Sequence, residues 1–186
     1  MKSLFYEQTY INTLHLYYEM AMEEAPSGHI LSDKWTLWAH LPHDTDWSIN
    51  SYKKIMTFKT LEELISLNEA IPEPVVKKCM LFVMRANIMP IWEDSNNIKG
   101  GCFSFKVNCK FIQSTWTNLA YALVSNIVTN NADLRKNING ITVSPKKAFC
   151  IIKIWMRNCD EQSINNFNPI NGLNYHGCIF KKHVAS

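Results

Sequence analysis

The stretch Gly140-Ile141-Thr142-Val143-Ser144-Pro145-Lys146-Lys147-Ala148-Phe149-Cys150-Ile151-Ile152-Lys153-Ile154-Trp155 reads as two strands folded back on one another. Gly140 to Ser144 and Phe149 to Trp155 are the arms, and Pro145-Lys146-Lys147 lies at the turn. A connection this short makes the pair antiparallel. Side chains alternate along a strand, so Lys153 shares a face with Ile151 and Trp155.

Working outward, further segments extend the sheet. Cys79 to Met84 is an apolar run of buried-strand length, and Gly100-Gly101 marks a turn between two strands, with Cys102 to Val107 following. Trp35 to His40 alternates like a strand, and a polar loop, Asp44 to Asp46, leads from it to Trp47. Helices interrupt these strands. Thr60-Leu61-Glu62-Glu63 forms a capping box, in which the Thr60 hydroxyl takes the N3 amide while Glu63 reaches back. The helix it opens carries Leu61, Leu64, Ile65 and Asn68 on one side with Leu67 beside them, and stops before Pro72 and Pro74. Ser114 caps a long helix with an apolar stripe of Trp116, Ala120, Leu123 and Ile127, ending at Asn130-Asn131. Residues 1–25 carry Ile11, Leu14, Tyr18 and Met22 at helical spacing, and Pro26-Ser27-Gly28 ends that segment. The tail from Asp160 is Asn-rich and irregular until a short run at Cys178 to Lys182. The fold class is α+β, an antiparallel sheet interrupted by helices. Residues 1–28 read as a helical extension and residues 29–186 as one domain.

The length suits one domain, and 47% apolar with 19% charged residues is a globular composition. A net charge of +3 permits a nucleic-acid partner without requiring one. The six cysteines have no C-x-x-C spacing and no zinc-knuckle pattern, which fits reduced, mostly buried thiols in a cytosolic protein. No signal peptide is recognisable, and no stretch approaches the ~18 apolar residues of a membrane span.

Enzyme motifs are missing: H-E-x-x-H, G-x-S-x-G, a Walker loop and clustered metal ligands. Glu93-Asp94 is a conceivable acid/base pair, but consecutive residues on a strand face opposite ways. Binding is the stronger theme. Pro90-Ile91-Trp92-Glu93-Asp94 sets an aromatic face beside a carboxylate, which suits a flat cationic ring carrying N–H donors. Trp47 and Trp92, both in or beside loops, can hold such a ring between them; each can equally pack a core. Trp35, Trp38 and Trp116 sit inside regular patterns and belong to the core. Lys146 and Lys153 can hold phosphates as point charges, or form a solvated basic turn.

Trp47, Pro90-Ile91-Trp92-Glu93-Asp94, Gly100-Gly101 and Trp155, in this order and spacing, resemble the translation initiation factor 4E family, over about His29 to Trp155. Asp33-Lys34-Trp35-Thr36-Leu37-Trp38 looks like its first strand. The resemblance implies a strongly curved antiparallel sheet with helices on the convex face and a slot for the 7-methylguanosine cap of mRNA on the concave side. It implies that Trp47 and Trp92 stack on the methylated base, that Glu93 reads guanine and that Trp155 packs against the methyl group. No cofactor and no catalysis are implied. A 4G-like scaffold or another helical-motif partner is expected on the convex face, at His29, Leu31, Leu61, Ile65 and Tyr121, and a cytoplasmic monomer is expected. The alternative within this resemblance is a cap-binding repressor or decoy that does not recruit the usual scaffold.

Departures from the family pattern fall around the base slot. Lys146 stands at the position of the main phosphate-binding Arg, but Ala148, Ile151 and Cys102 occupy positions where further basic residues are usual, so phosphate binding is expected either to be re-routed through Lys153 and Lys147 or to be weaker. On the convex face Ile65 replaces a helix Trp, and Thr117 and Tyr121 stand where leucines are usual.

Overall fold

Strand β1 (Ile30–His40) shows how the sheet divides the molecule. Trp35, Leu37 and Ala39 enter one buried cluster, while Trp38 enters another. Strand β3 (Met80–Arg85) repeats the division, with Leu81 and Val83 on the first side and Phe82 and Met84 on the second. A one-residue slip in either strand would exchange the two sets, so the register is held by burial on both faces. Each side chain taken fully out of water contributes roughly 1.5–3 kcal/mol of transfer free energy.

The structure is a computed structural model that describes residues 28–42 and 44–183. After β1 come β2 (Tyr52–Thr60), α1 (Leu61–Ala70), α2 (Glu73–Lys78), β3, β4 (Gly101–Val107), α3 (Ile112–Val124), α4 (Ala132–Asn137), β5 (Ile138–Pro145), β6 (Cys150–Met156) and β7 (Ile179–Lys182). The seven strands of the described residues form one curved sheet in the order β2-β1-β3-β5-β6-β4-β7, every neighbour antiparallel. The helices cover the first cluster, where Trp116, Leu119, Ala120 and Leu123 of α3 are buried. The second cluster, on the concave side, is smaller: Trp38, Phe82, Met84, Ile88, Cys102 and Trp155. Among the described residues no helix is long and apolar enough to cross a membrane. Cys79, Cys102 and Cys150 are buried, and the other three cysteines are half-buried.

The paired strands around the Lys146-Lys147 turn form as expected, closed by the Lys146 amide donating to the Phe149 carbonyl at 2.8 Å. The Thr60 capping box is complete: the Glu63 amide donates to Thr60 Oγ1 at 3.3 Å and the Thr60 amide to Glu63 Oε2 at 2.9 Å. Such a cap is worth about 1 kcal/mol.

Several boundaries differ from expectation. Pro72 and Pro74 end α1 but also open α2, because Pro74 sits in the first turn, where its missing N–H leaves no bond unmade. Ser114 does not cap α3. That helix grows out of a 3-10 turn, Cys109–Phe111, capped by Asn108, and Ser114 Oγ donates back to the Phe111 carbonyl at 3.0 Å. The helix stops at Val124, before Asn130-Asn131, because Asn126 adopts φ 60° and the Ile127 and Asn126 amides return to the Ala122 and Leu123 carbonyls at 3.0 and 3.2 Å. This is a Schellman ending. Ile127 therefore leaves the apolar stripe and is exposed. Asn131 instead caps α4, accepting the Asp133 and Leu134 amides at 2.9 and 3.0 Å.

Gly100-Gly101 is not a turn between strands. Residues 86–100 are a loop, and β4 begins at Gly101. A Cβ on Gly100 would lie 1.7 Å from the Met156 carbonyl oxygen, and one on Gly101 2.6 Å from the Phe180 ring, so close backbone approach demands both glycines. The helix expected within residues 1–25 lies outside the described residues.

Candidate functional site

The concave cluster is the floor of a cleft of about 380 Å³, a volume suited to a nucleotide-sized ligand. Trp155 is buried there, its indole N–H donating to Thr142 Oγ1 at 2.7 Å, which sets the ring plane. Phe82 meets Trp155 edge-on at 6.4 Å between centroids, and Tyr52 meets Phe82 at 5.5 Å. Burial pushes the Tyr52 phenol above its ordinary pKa, and the nearby Glu93 carboxylate adds to the rise.

One wall comes from the loop between β1 and β2. Asp46 Oδ1 accepts the Ser48 amide at 2.7 Å and Oδ2 the Ser48 hydroxyl at 2.8 Å, and these bonds lower the Asp46 pKa. Trp47 projects from this braced turn and is 58% exposed. Its ring stacks on His40, 4.2 Å away and 6° from parallel. His40 is 2% exposed and donates from Nε2 to the Asp46 carbonyl at 2.9 Å.

The opposite wall is the 86–100 loop. The adjacent acids divide their work. Asp94 turns into the loop, its Oδ2 accepting the Met89 amide at 2.9 Å and its Oδ1 the Asn96 amide at 2.8 Å. Glu93 is left exposed and lines the cleft. Asn97, fully buried, donates to the Met89 and Ile91 carbonyls at 2.9 and 2.8 Å and accepts from Asn139 Nδ2 at 2.9 Å. These bonds hold the loop from both ends and present Trp92, 37% exposed.

Trp92 too has a histidine against it. His183, just past β7, stacks at 5.5 Å and 12° from parallel, and its ring also meets Trp155 at 5.0 Å. Burial lowers the His183 pKa. The neutral ring donates from Nδ1 to the Asn97 carbonyl at 2.7 Å, so Nε2 accepts from Cys102 Sγ, 3.0 Å away. Burial pushes that thiol up to about 12, so it remains a donor.

The cleft thus gathers Trp47, Trp92, Glu93, Trp155, Lys146 and Lys153. Lys153 holds its ammonium 6.0 Å from the Trp92 ring centroid. Lys147 is exposed and does not line the cleft. The reading from sequence missed His40, Tyr52, Phe82, Asn97, Thr142 and His183. Alternation in β1 and β3 could have placed His40 and Phe82 beside Trp38, whereas nothing local marks Asn97 or His183.

On the convex side Ile65 is exposed, and Leu31, Leu61 and Tyr121 are half-buried against the core. His29 is fastened to the start of α1: its amide and Nδ1 meet Glu62 Oε2 and Oε1 at 2.8 and 2.6 Å, and the Leu61 amide donates to its carbonyl at 3.0 Å. The bond from His29 lowers the Glu62 pKa.

Comparison with known proteins gives consistent matches. Residues 30–171 match the family model described as Eukaryotic initiation factor 4E. The Candida glabrata eukaryotic translation initiation factor 4E is 30% identical over 145 residues, 74% of this chain and 68% of that protein. The Saccharomyces cerevisiae protein of the same name is 29% identical over 143 residues, 73% of this chain and 65% of its own length. The chain therefore spans about two thirds of the length of these relatives. Among solved structures, a Schistosome eIF4E complexed with m7GpppG and 4E-BP superimposes with a TM-score of 0.67 at 21% identity, covering 75% of this chain and 78% of that one.

Proposed function

The chain belongs to the eukaryotic initiation factor 4E family, and from that premise we propose that it binds the 7-methylguanosine cap of mRNA and acts in translation initiation. The observation that carries this reading is a pair of exposed tryptophans, Trp47 and Trp92, each stacked on a histidine and each lining one cleft with Glu93. N7 methylation makes guanine cationic, and each ring face contributes about 0.5–2 kcal/mol to holding it. Glu93 accepts the N1 and N2 protons, at about 1.5–3 kcal/mol per charge-assisted bond. The Trp92 amide donates to O6, and Trp155 packs against the methyl group. Adenine would leave these groups unpaired, which is a strong ground for rejection. Lys146 and Lys153 hold the phosphates, and Lys147 assists only where the chain of phosphates extends beyond the cleft.

The cap-binding unit begins at residue 29. It works by binding, without catalysis and without a cofactor, as a cytoplasmic monomer. A 4G-like scaffold or another helical-motif partner occupies His29, Leu31, Leu61, Ile65 and Tyr121 on the convex face. Relatives bearing initiation-factor names favour this over the repressor or decoy reading. Tryptophan fluorescence during titration with 7-methyl-GDP and GDP tests the proposal. The methylated nucleotide is expected to bind about tenfold to a hundredfold tighter, the worth of two cation–π faces. Equal affinity would overturn it.

A further inference from the structure

A second cleft, of about 430 Å³, opens where β1 begins and β3 and β6 end. Its walls include Asp33, Arg85, Asn126, Arg135, Lys136 and Arg157, three positive charges in excess. Arg85 is already engaged. Its guanidinium pairs with Asp33, donates to the Ile138 and Arg135 carbonyls at 2.8 and 3.0 Å, and lies 4.9 Å over the Trp35 ring. It ties the strand ends together. The other cations are less committed. Arg135 gives Nη1 to the Thr129 carbonyl at 3.1 Å, and Lys136 meets Asp133 at 3.4 Å in an exposed pair. The Arg157 guanidinium has no ion pair or hydrogen bond among the described residues. Two guanidinium forks and an ammonium around one cleft suit planar carboxylates.

The cleft adjoins the convex surface. Ser32, which lines it, directly follows Leu31, and its Oγ accepts from Asn126 Nδ2 at 2.7 Å. Asn126 in turn closes the helix that carries Tyr121. Arg85 points to the helix-bearing side with Leu81 and Val83, opposite to Phe82 and Met84 beneath the ring-lined cleft. This position favours a protein partner over an RNA strand leaving the other face.

We propose that the partner whose helical segment covers Leu31, Leu61 and Tyr121 continues into this cleft with an acidic stretch, whose carboxylates are held by Arg135, Lys136 and Arg157. The proposal rests on the partner surface assigned under the proposed function. It is tested on the full chain with 7-methyl-GDP bound. A labelled hexaglutamate peptide should shift amide NMR signals at Asn126, Arg135, Lys136 and Arg157, and the variant Arg157→Glu with Lys136→Glu should abolish the shifts while leaving cap-analogue quenching unchanged. A 4E-binding helical peptide extended at either end by four glutamates should bind roughly fivefold to tenfold tighter than its serine-extended counterpart, the worth of one or two exposed ion pairs. That advantage should fade with salt. Equal binding of the two extended peptides overturns the proposal and leaves the convex surface standing. Binding of hexaglutamate at this cleft with neither helical peptide binding refutes the convex surface and supports the acidic-segment site by itself. A decauridylate that shifts these signals more strongly than hexaglutamate overturns the proposal in favour of RNA.

Discussion

On the concave side seven rings touch in series, Trp47, His40, Tyr52, Phe82, Trp155, His183 and Trp92, so that the two walls of the cleft are joined through its floor. Among the described residues, the convex-face positions Leu31, Leu61, Ile65 and Tyr121 are joined by no ring-to-ring contact of this kind. Leu61 and Ile65 share one face of α1, while Leu31 stands on β1 and Tyr121 on α3, with charged residues at their margin. The difference shows where preorganisation is needed. A rigid ligand of fixed shape gains from walls that cannot drift, because little freedom is left to lose on binding. A peptide that adapts can tolerate a surface rewritten one residue at a time.

That contrast can be broken most directly at Glu93. Replacing it by Ala is expected to weaken cap-analogue binding about a hundredfold or more, the worth of two charge-assisted bonds. The unfolding midpoint and the affinity for a convex-face peptide should stay unchanged. Titration beside thermal denaturation would reveal either failure. Asn97→Ala should act through the wall itself. Loss of its buried bonds is expected to cost about 2–4 kcal/mol in urea unfolding and to weaken cap binding as the loop loosens. Stability unaltered by this change would mean that the loop is held by other means.

Smaller effects sharpen the comparison. Lys153→Ala should weaken 7-methyl-GDP by roughly fivefold while sparing the methylated nucleoside, as one partly exposed ion pair warrants; equal losses for both ligands would remove Lys153 from the phosphate path. Ile65→Ala should cost a convex-face helical peptide about threefold to fivefold and the cap analogue nothing, a split measurable by parallel titrations. The mildest expectation concerns pH. Burial lowers the His183 pKa in the folded protein, so the unfolded chain takes up the extra proton first. Its contribution to stability is complete above the unfolded value of about 6.5 and declines as pH falls toward the folded value. His183→Gln should flatten the acid limb of the stability profile, and an unchanged limb would place the acid sensitivity elsewhere.

The walls and floor of the cleft were legible in the sequence because Trp92, Glu93 and Trp155, which line it, are bulky or charged residues at distinctive spacing. The supporting residues were not. Asn97 and His183 act across 86 residues, through a bond that no local pattern announces. Alternation holds along β1 and β3, where burial on both faces enforces it. Helix ends fared worse: Ser114 and Asn131 are both good capping residues, and which carbonyls and amides they meet is decided by where the preceding turn leaves the chain. Pro72 and Pro74 carried the same ambiguity, since proline ends one helix and opens the next with equal ease.

Among the described residues, the sheet in the order β2-β1-β3-β5-β6-β4-β7 also has two borders, β2 and β7. Each border is a row of backbone groups on which another chain could build. Strand β2 carries Lys53, Lys54 and Lys59, and β7 is only four residues long and ends in Lys181-Lys182. Charge at one border and brevity at the other make both poor templates for added strands. Lengthening β7 with apolar residues would forfeit that protection.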